Sequence, residues 1–212
     1  MDNTVFNSKT SLINKLFQDN KKTVIIVGAV VIVAVIILFI FFNQRSAKFN
    51  DIASDNLSEA YTSFAMGNDA QGLALLNEVV EKYPKTSAAY QARLFLGDYY
   101  TNIGNFAEAL TYLSNTKTEA KPAELRPLAL ARIIYLYDVR NEFINAKDAA
   151  EEFVKTYPNH FLTKSIYISL ARYYAFLGSV EEVRRVCNEI LSKFPATEEA
   201  QVAQNTLGAI GQ

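Results

Sequence analysis

The chain has 212 residues, half of them hydrophobic, with 21 basic and 22 acidic side chains and a net charge of −1. With no clustered basic stretch, that balance excludes the electrostatic footprint of a nucleic-acid binder. One histidine and one cysteine exclude an intramolecular disulfide and are too few for a zinc-type ligand set.

Residues 1–22 carry Lys9, Lys15, Lys21 and Lys22. Phe6, Ile13, Leu16, Phe17 and Asn20 fall near helical spacing, which fits either a short amphipathic helix on a membrane face or a disordered tail. Residues 23–42 then run for twenty positions with no charge, no proline and one glycine, Gly28; sixteen of them are Val, Ile, Leu or Phe. A helix of that length spans about 30 Å, the thickness of a bilayer's hydrocarbon core. Its apolar residues favour insertion by roughly 5–10 kcal/mol. A secretory signal has a shorter apolar region that ends at a small-x-small site. Here Arg45 stands where the first small residue would be. The run therefore predicts an uncleaved transmembrane helix at 23–42. The lysines before it outnumber Arg45 and Lys48 after it, so residues 1–22 are expected in the cytoplasm and the remainder outside it.

After the apolar run no Gly or Pro appears before Gly67. Phe49, Ile52, Ala53, Leu57, Ala60, Tyr61 and Phe64 keep a helical period. The membrane helix is thus expected to continue into the first helix of the exported domain, or to break only briefly near Asn43 and Gln44.

Residues 43–212 are repetitive. Gly67, Gly104, Asn141 and Gly178 are each 37 residues apart. A second ladder shares the period: Tyr83-Pro84, Tyr157-Pro158 and Phe194-Pro195, with Pro122 one place beyond the missing rung at Lys121. Gly and Asn tolerate the left-handed backbone that ends a helix, whereas proline cannot continue one. Each unit therefore reads as a helix A, a tight turn, a helix B and a stop, over about 48–84, 85–121, 122–158 and 159–195. A lone helix at 196–209, carrying Ala200, Ala203 and Leu207, covers the end. Small residues recur where helices must cross: Ala60, Gly97, Ile134 and Ala171 share one slot, and Gly72, Ala109, Ala146 and Val183 another. A period of this size marks a stacked-repeat architecture.

Leu96-Gly97-Asp98-Tyr99-Tyr100, then Gly104, Ala109 and Leu113, resembles a tetratricopeptide repeat (TPR) at that motif's spacings, although the unit is longer than the consensus. The fold implied is all-α: an N-terminal transmembrane helix, then a TPR-like right-handed α-solenoid with a C-terminal capping helix. A lysine-bearing tail, one anchor and four exported units resemble the YfgM-type ancillary subunits of the Sec translocon, whose TPR domain is shared with cell-division coordinators. By that resemblance the protein sits in a bacterial inner membrane. Its partners would be the Sec translocon, periplasmic chaperones or emerging polypeptides; the alternative is a scaffold for envelope or cell-division complexes.

No nucleophile elbow, P-loop or dinucleotide fingerprint is present, and no cofactor is implied. An enzyme, such as a hydrolase, would need acid, base or nucleophile groups that converge, and none is visible. Cys187 keeps the packed register of helix B and is expected to be buried. His160 follows Pro158-Asn159 and is expected in an exposed loop. Glu151-Glu152, Glu181-Glu182 and Glu198-Glu199 are expected at helix starts, complementing the dipole. TPR-like register places Tyr61, Phe64, Gln91, Asp98, Thr101, Asn102, Tyr135, Asp138, Arg172 and Phe176 on the concave face formed by helices A. Mixed aromatic and polar residues there fit a recognition groove.

Overall fold

The structure, a computed structural model, describes residues 21–211, with side chains from residue 26 onward. The tail pattern at Phe6, Ile13, Leu16, Phe17 and Asn20 lies outside the described residues. The described residues form helices α1 (Lys21–Ala65), α2 (Asp69–Lys82), α3 (Ser87–Asn102), α4 (Phe106–Glu119), α5 (Leu125–Val139), α6 (Phe143–Thr156), α7 (Thr163–Phe176), α8 (Val180–Lys193) and α9 (Glu198–Ile210), with no strand among them.

The chain divides into two compact units, Met1–Phe49 and Asn50–Gln212. In the first, helix α1 is long and apolar enough to cross a membrane, and every side chain described from 26 to 42 is exposed. Helical hydrogen bonding runs without interruption from Lys21 to Ala65; proline, which would break it, is absent from this stretch.

The second unit is a stack of helix pairs. Four turns fall on the Gly/Asn ladder, and each ladder residue takes a left-handed backbone: Gly67 (φ 76°), Gly104 (78°), Asn141 (57°) and Gly178 (71°). Each turn is closed by the same bond, in which an amide donates five residues back: Asn68 to Ser63 (2.8 Å), Asn105 to Tyr100 (2.8 Å), Glu142 to Tyr137 (2.9 Å) and Ser179 to Tyr174 (2.9 Å). This is the Schellman closure, which satisfies carbonyls a helix end would otherwise leave open. Helices B stop at Tyr83, Tyr157 and Phe194 with nearly the same dihedral angles, each ahead of a proline, and the unit without that rung stops at Ala120 before Lys121-Pro122.

Small residues set how closely A and B approach. Ala60, Gly97, Ile134 and Ala171 are all buried, as are Gly72, Ala109, Ala146 and Val183. A methyl group added at Gly97 would lie 2.5 Å from Leu113, and one at Gly72 would lie 2.5 Å from the Phe64 ring. The core is built of two clusters along the stack, with Tyr100 packed against both. Ala53, Leu57, Ala60, Leu76, Val79 and Leu96 fill its first part, and Leu113, Leu130, Phe153, Leu170 and Ile190 its second. Helix α9 closes the far end by burying Ala200 and Ala203.

Candidate interaction face

Helices A supply the face on which the register places the candidate residues. Between the last turns of α1, α3 and the start of α5 lies a cleft of about 230 Å³. Its floor is apolar: Leu94, Phe95, Leu125 and Leu128. Its rim is polar: Tyr61, Gln91, Asp98 and Arg132. Three residues expected on this face, Tyr61, Gln91 and Asp98, thus converge on one concavity.

Aromatic packing holds the rim. The Tyr61 ring lies 5.4 Å from Phe95, and Phe64 lies 4.6 Å from Phe95 and 6.1 Å from Tyr99. Phe64 is half-buried and occupies the space left open by Gly72, so it supports the cleft from beneath. Burial pushes the Tyr61 hydroxyl above its ordinary pKa; Asp98 adds to the shift and Arg132 opposes it. Tyr61 therefore stays a neutral donor and acceptor at physiological pH.

The charged residues of the face are joined in pairs from one unit to the next. Arg132 Nε donates to both carboxylate oxygens of Asp98, at 2.9 and 2.8 Å, across 34 residues. Arg172 donates to Asp138 at 2.6 Å, again across 34 residues. Arg172 is partly desolvated, yet its hydrogen bond to Asp138 and the charge beside it hold its pKa above the usual value. The pairs are partly exposed, so each contributes about 0–1 kcal/mol and acts more on register than on stability.

The remaining candidates separate. Tyr135 and Asn102 are exposed. Phe176 is 59% exposed and stacks on Phe143 at 4.4 Å, at the turn end of the fourth unit rather than in the cleft. Thr101 is buried and its hydroxyl donates to the Gly97 carbonyl at 2.7 Å, which withdraws it from the surface. Arg132, Phe95 and Phe143 were not among the expected residues. The 34-residue spacing of Asp98 to Arg132, matched by Asp138 to Arg172, was the available signal.

Outside this face the titratable groups serve packing. Cys187 is buried, and burial pushes its thiol pKa up. His160 is half-buried rather than exposed: its Nδ1 accepts from the Leu162 amide at 3.3 Å and its ring packs on Phe153 and Phe161, so burial lowers its pKa. Glu181, Glu182, Glu198 and Glu199 lie in first turns as expected. Glu151 and Glu152 do not; they sit midway along α6 and bond to neighbouring helices. Glu151 accepts from the Tyr174 hydroxyl, and Glu152 pairs with Lys117 at 2.7 Å. Burial, with Glu151 beside it, pushes Tyr174 up to about 12. Among the described residues no three His, Cys, Asp or Glu side chains converge to hold a metal ion.

A family model described as a tetratricopeptide repeat-like domain matches residues 15–164. Among solved structures, the chain is similar to a tetratricopeptide repeat protein from Parabacteroides merdae, with a TM-score of 0.62 and 16% identity, over 76% of this chain and 60% of that one. The chain therefore spans less than two thirds of that protein's length. It is also similar to the nearly identical TPR-like repeats described for a kinesin light chain of Podosopora anserina, with a TM-score of 0.55 and 18% identity, over 74% of this chain and 84% of that one. At these identities the likeness concerns the fold alone. A search of curated proteins gives no match.

Proposed function

Because the chain belongs to the tetratricopeptide repeat-like domain family, we propose that it is a non-catalytic interaction scaffold, held at a membrane by residues 23–42, that binds partner polypeptides on the concave face of helices A. The 230 Å³ cleft carries this reading. It combines an apolar floor able to bury a partner side chain with a neutral tyrosine, an amide and a paired carboxylate at the rim. Aromatic and Arg-lined concavities of this kind hold most of the energy of protein interfaces. Tyr61, Phe64, Gln91 and Asp98 form the first subsite. Tyr135, the Asp138–Arg172 pair and Asn102 continue it along α3, α5 and α7.

The lysine-rich flank before the apolar run supports an N-terminus in the cytoplasm and a repeat domain outside it. In a bacterial inner membrane the partners of such a protein would be the Sec translocon, periplasmic chaperones or emerging polypeptides. Crosslinking in membranes followed by mass spectrometry tests the partners, and Tyr61→Ala with Tyr135→Ala tests the face. The pair should abolish crosslinks while the far-UV spectrum stays unchanged; unaltered crosslinking would reject the face. A reporter active only outside the cytoplasm, fused after Gln212, should give signal, and a silent but stable fusion would reject the topology.

A further inference from the structure

The edge of the second unit where each helix A turns into its helix B has a character the helix A face lacks. Met66, Ile103 and Leu177 occupy the same place in the first, second and fourth turns, just ahead of the left-handed residue, and Met66 and Ile103 are 79% and 58% exposed. In the third turn the corresponding position is Arg140, and Ile144 two residues into α6 is 62% exposed instead. Neighbouring turns touch: Arg140 lies over the Phe106 ring at 5.2 Å, and Phe143 stacks on Phe176. Between the third and fourth turns lies an open cleft of about 380 Å³, lined by Phe143, Ile144 and Leu177 together with Asn141, Glu142 and Asn145. Isolated exposed apolar residues are ordinary, but a row repeated turn by turn around a cleft marks an interaction surface.

The charges beside this row that lack a close partner are acidic. Helices α1, α3, α5 and α7 end at this edge with no basic residue in the last turn. Helices α2, α4 and α8 begin there with Asp69, Glu108, and Glu181 with Glu182. Arg140 is the cation at the turns, and Glu142 neutralises it at 2.6 Å. Arg185 engages Glu182 at 2.6 Å, whereas Glu181 is 88% exposed with Arg184 only at 4.0 Å. Asp69 and Glu108 have no ion pair among the described residues. Helix A carbonyl ends and helix B amide ends meet at this edge, so their opposed dipoles largely cancel and the carboxylates set the potential.

We propose that this turn edge is a second docking surface and that its occupant is a cationic amphipathic segment of a partner protein. Apolar side chains of the segment enter the Phe143–Ile144–Leu177 cleft, and its lysines or arginines face Asp69, Glu108 and Glu181. An anionic lipid surface is repelled by the same rim. A second copy of this chain would have to bring an uncompensated basic apolar strip to match.

The test uses the full chain in nanodiscs of zwitterionic lipid, with empty nanodiscs subtracted. The probe is a short helical peptide of leucine and lysine at amphipathic spacing, beside a leucine–glutamate peptide of the same pattern. Hydrogen exchange then locates the contact. The leucine–lysine peptide should protect the turns at Ile103, Ile144 and Leu177, and the leucine–glutamate peptide should protect nothing. Ile103→Ser, Ile144→Ser and Leu177→Ser together should weaken binding by roughly tenfold or more, a difference of about 1.4 kcal/mol. Glu108→Gln with Glu181→Gln, which leaves the apolar row intact, should weaken it several-fold and flatten its salt dependence. Phe161→Ser, at the opposite edge, should change nothing. Equal affinity for both peptides would overturn the proposal, as would protection elsewhere or unchanged binding by both variants. So would binding of the edge to vesicles of anionic lipid, or a peptide-independent dimer that the apolar triple variant dissolves. Loss of binding at the Tyr61 cleft alone would leave this edge unaffected, so the two surfaces fail separately.

Discussion

Gly97→Ala should destabilise the protein even though it places a better helix former inside α3. Helix propensity alone favours Ala over Gly by about 0.8–1.0 kcal/mol in a helix interior. The new methyl group, however, would sit 2.5 Å from Leu113 Cδ2 and 2.6 Å from its Cγ. Ordinary carbon contacts lie at about 3.5–4.0 Å, so the overlap exceeds about 1 Å. Leu113 is fully buried in the core and cannot swing into solvent. Overpacking of this kind costs about 1–3 kcal/mol. An overlap that involves Cγ, and not only a flexible tip, places the cost in the upper half of that range. Subtracting the propensity gain leaves a net loss of roughly 1–2 kcal/mol. At about 2–4 °C per kcal/mol for a domain of this size, Tm should fall by about 2–8 °C. The twelve tyrosines make near-UV circular dichroism a suitable probe of tertiary packing, with no tryptophan to dominate it. Leu113→Ala removes the atoms that clash. Gly97→Ala should therefore cost less, or stabilise, in that background, and the double-mutant cycle should show a coupling of about 1 kcal/mol or more. If Gly97→Ala raises Tm in the wild-type background, α3 and α4 do not cross closely at this point and the account of the small-residue slots is wrong.

Asn141→Gly should stabilise the third turn, since φ of 57° strains any residue with a Cβ and Asn only less than most. A gain of about 0.5 kcal/mol is expected in chemical denaturation, and a loss would show that the Asn side chain contributes to the turn. Tyr174 holds its proton to about pH 12 in the folded state because it is buried against Glu151. The unfolded chain releases that proton near pH 10, so stability present below pH 10 should decline as pH rises from about 10 to 12. Tyr174→Phe should reduce that slope in pH-dependent melting; an identical slope would mean the hydroxyl is not held this way. The Cys187 thiol, buried and with its pKa pushed up, should react with a maleimide only after denaturation, and rapid labelling of the native protein would contradict its place in the core.

The repeat was legible in the sequence because its marks are local. A left-handed residue at each turn and a proline after each helix B are requirements of the backbone itself, so Gly67, Gly104, Asn141 and Gly178 could be placed before any packing was known. The buried slots of Gly97, Gly72 and Cys187 followed from the same period. What the period could not assign was which side chains meet across units, since that depends on the angle and offset at which successive helices cross. Thr101 illustrates this: its helical register suits the face, but its hydroxyl turns back onto Gly97. Asp98 and Asp138 read as independent polar groups until the stacking brought Arg132 and Arg172 onto them. The paired carboxylates Glu151 and Glu152 resemble a helix start in the sequence, but α6 begins at Phe143, and Tyr174 and Lys117 reach them only through the tertiary stack. Chain-local backbone geometry was thus determined by sequence alone, whereas the pairing of side chains from different helices was decided by how the helix pairs pack.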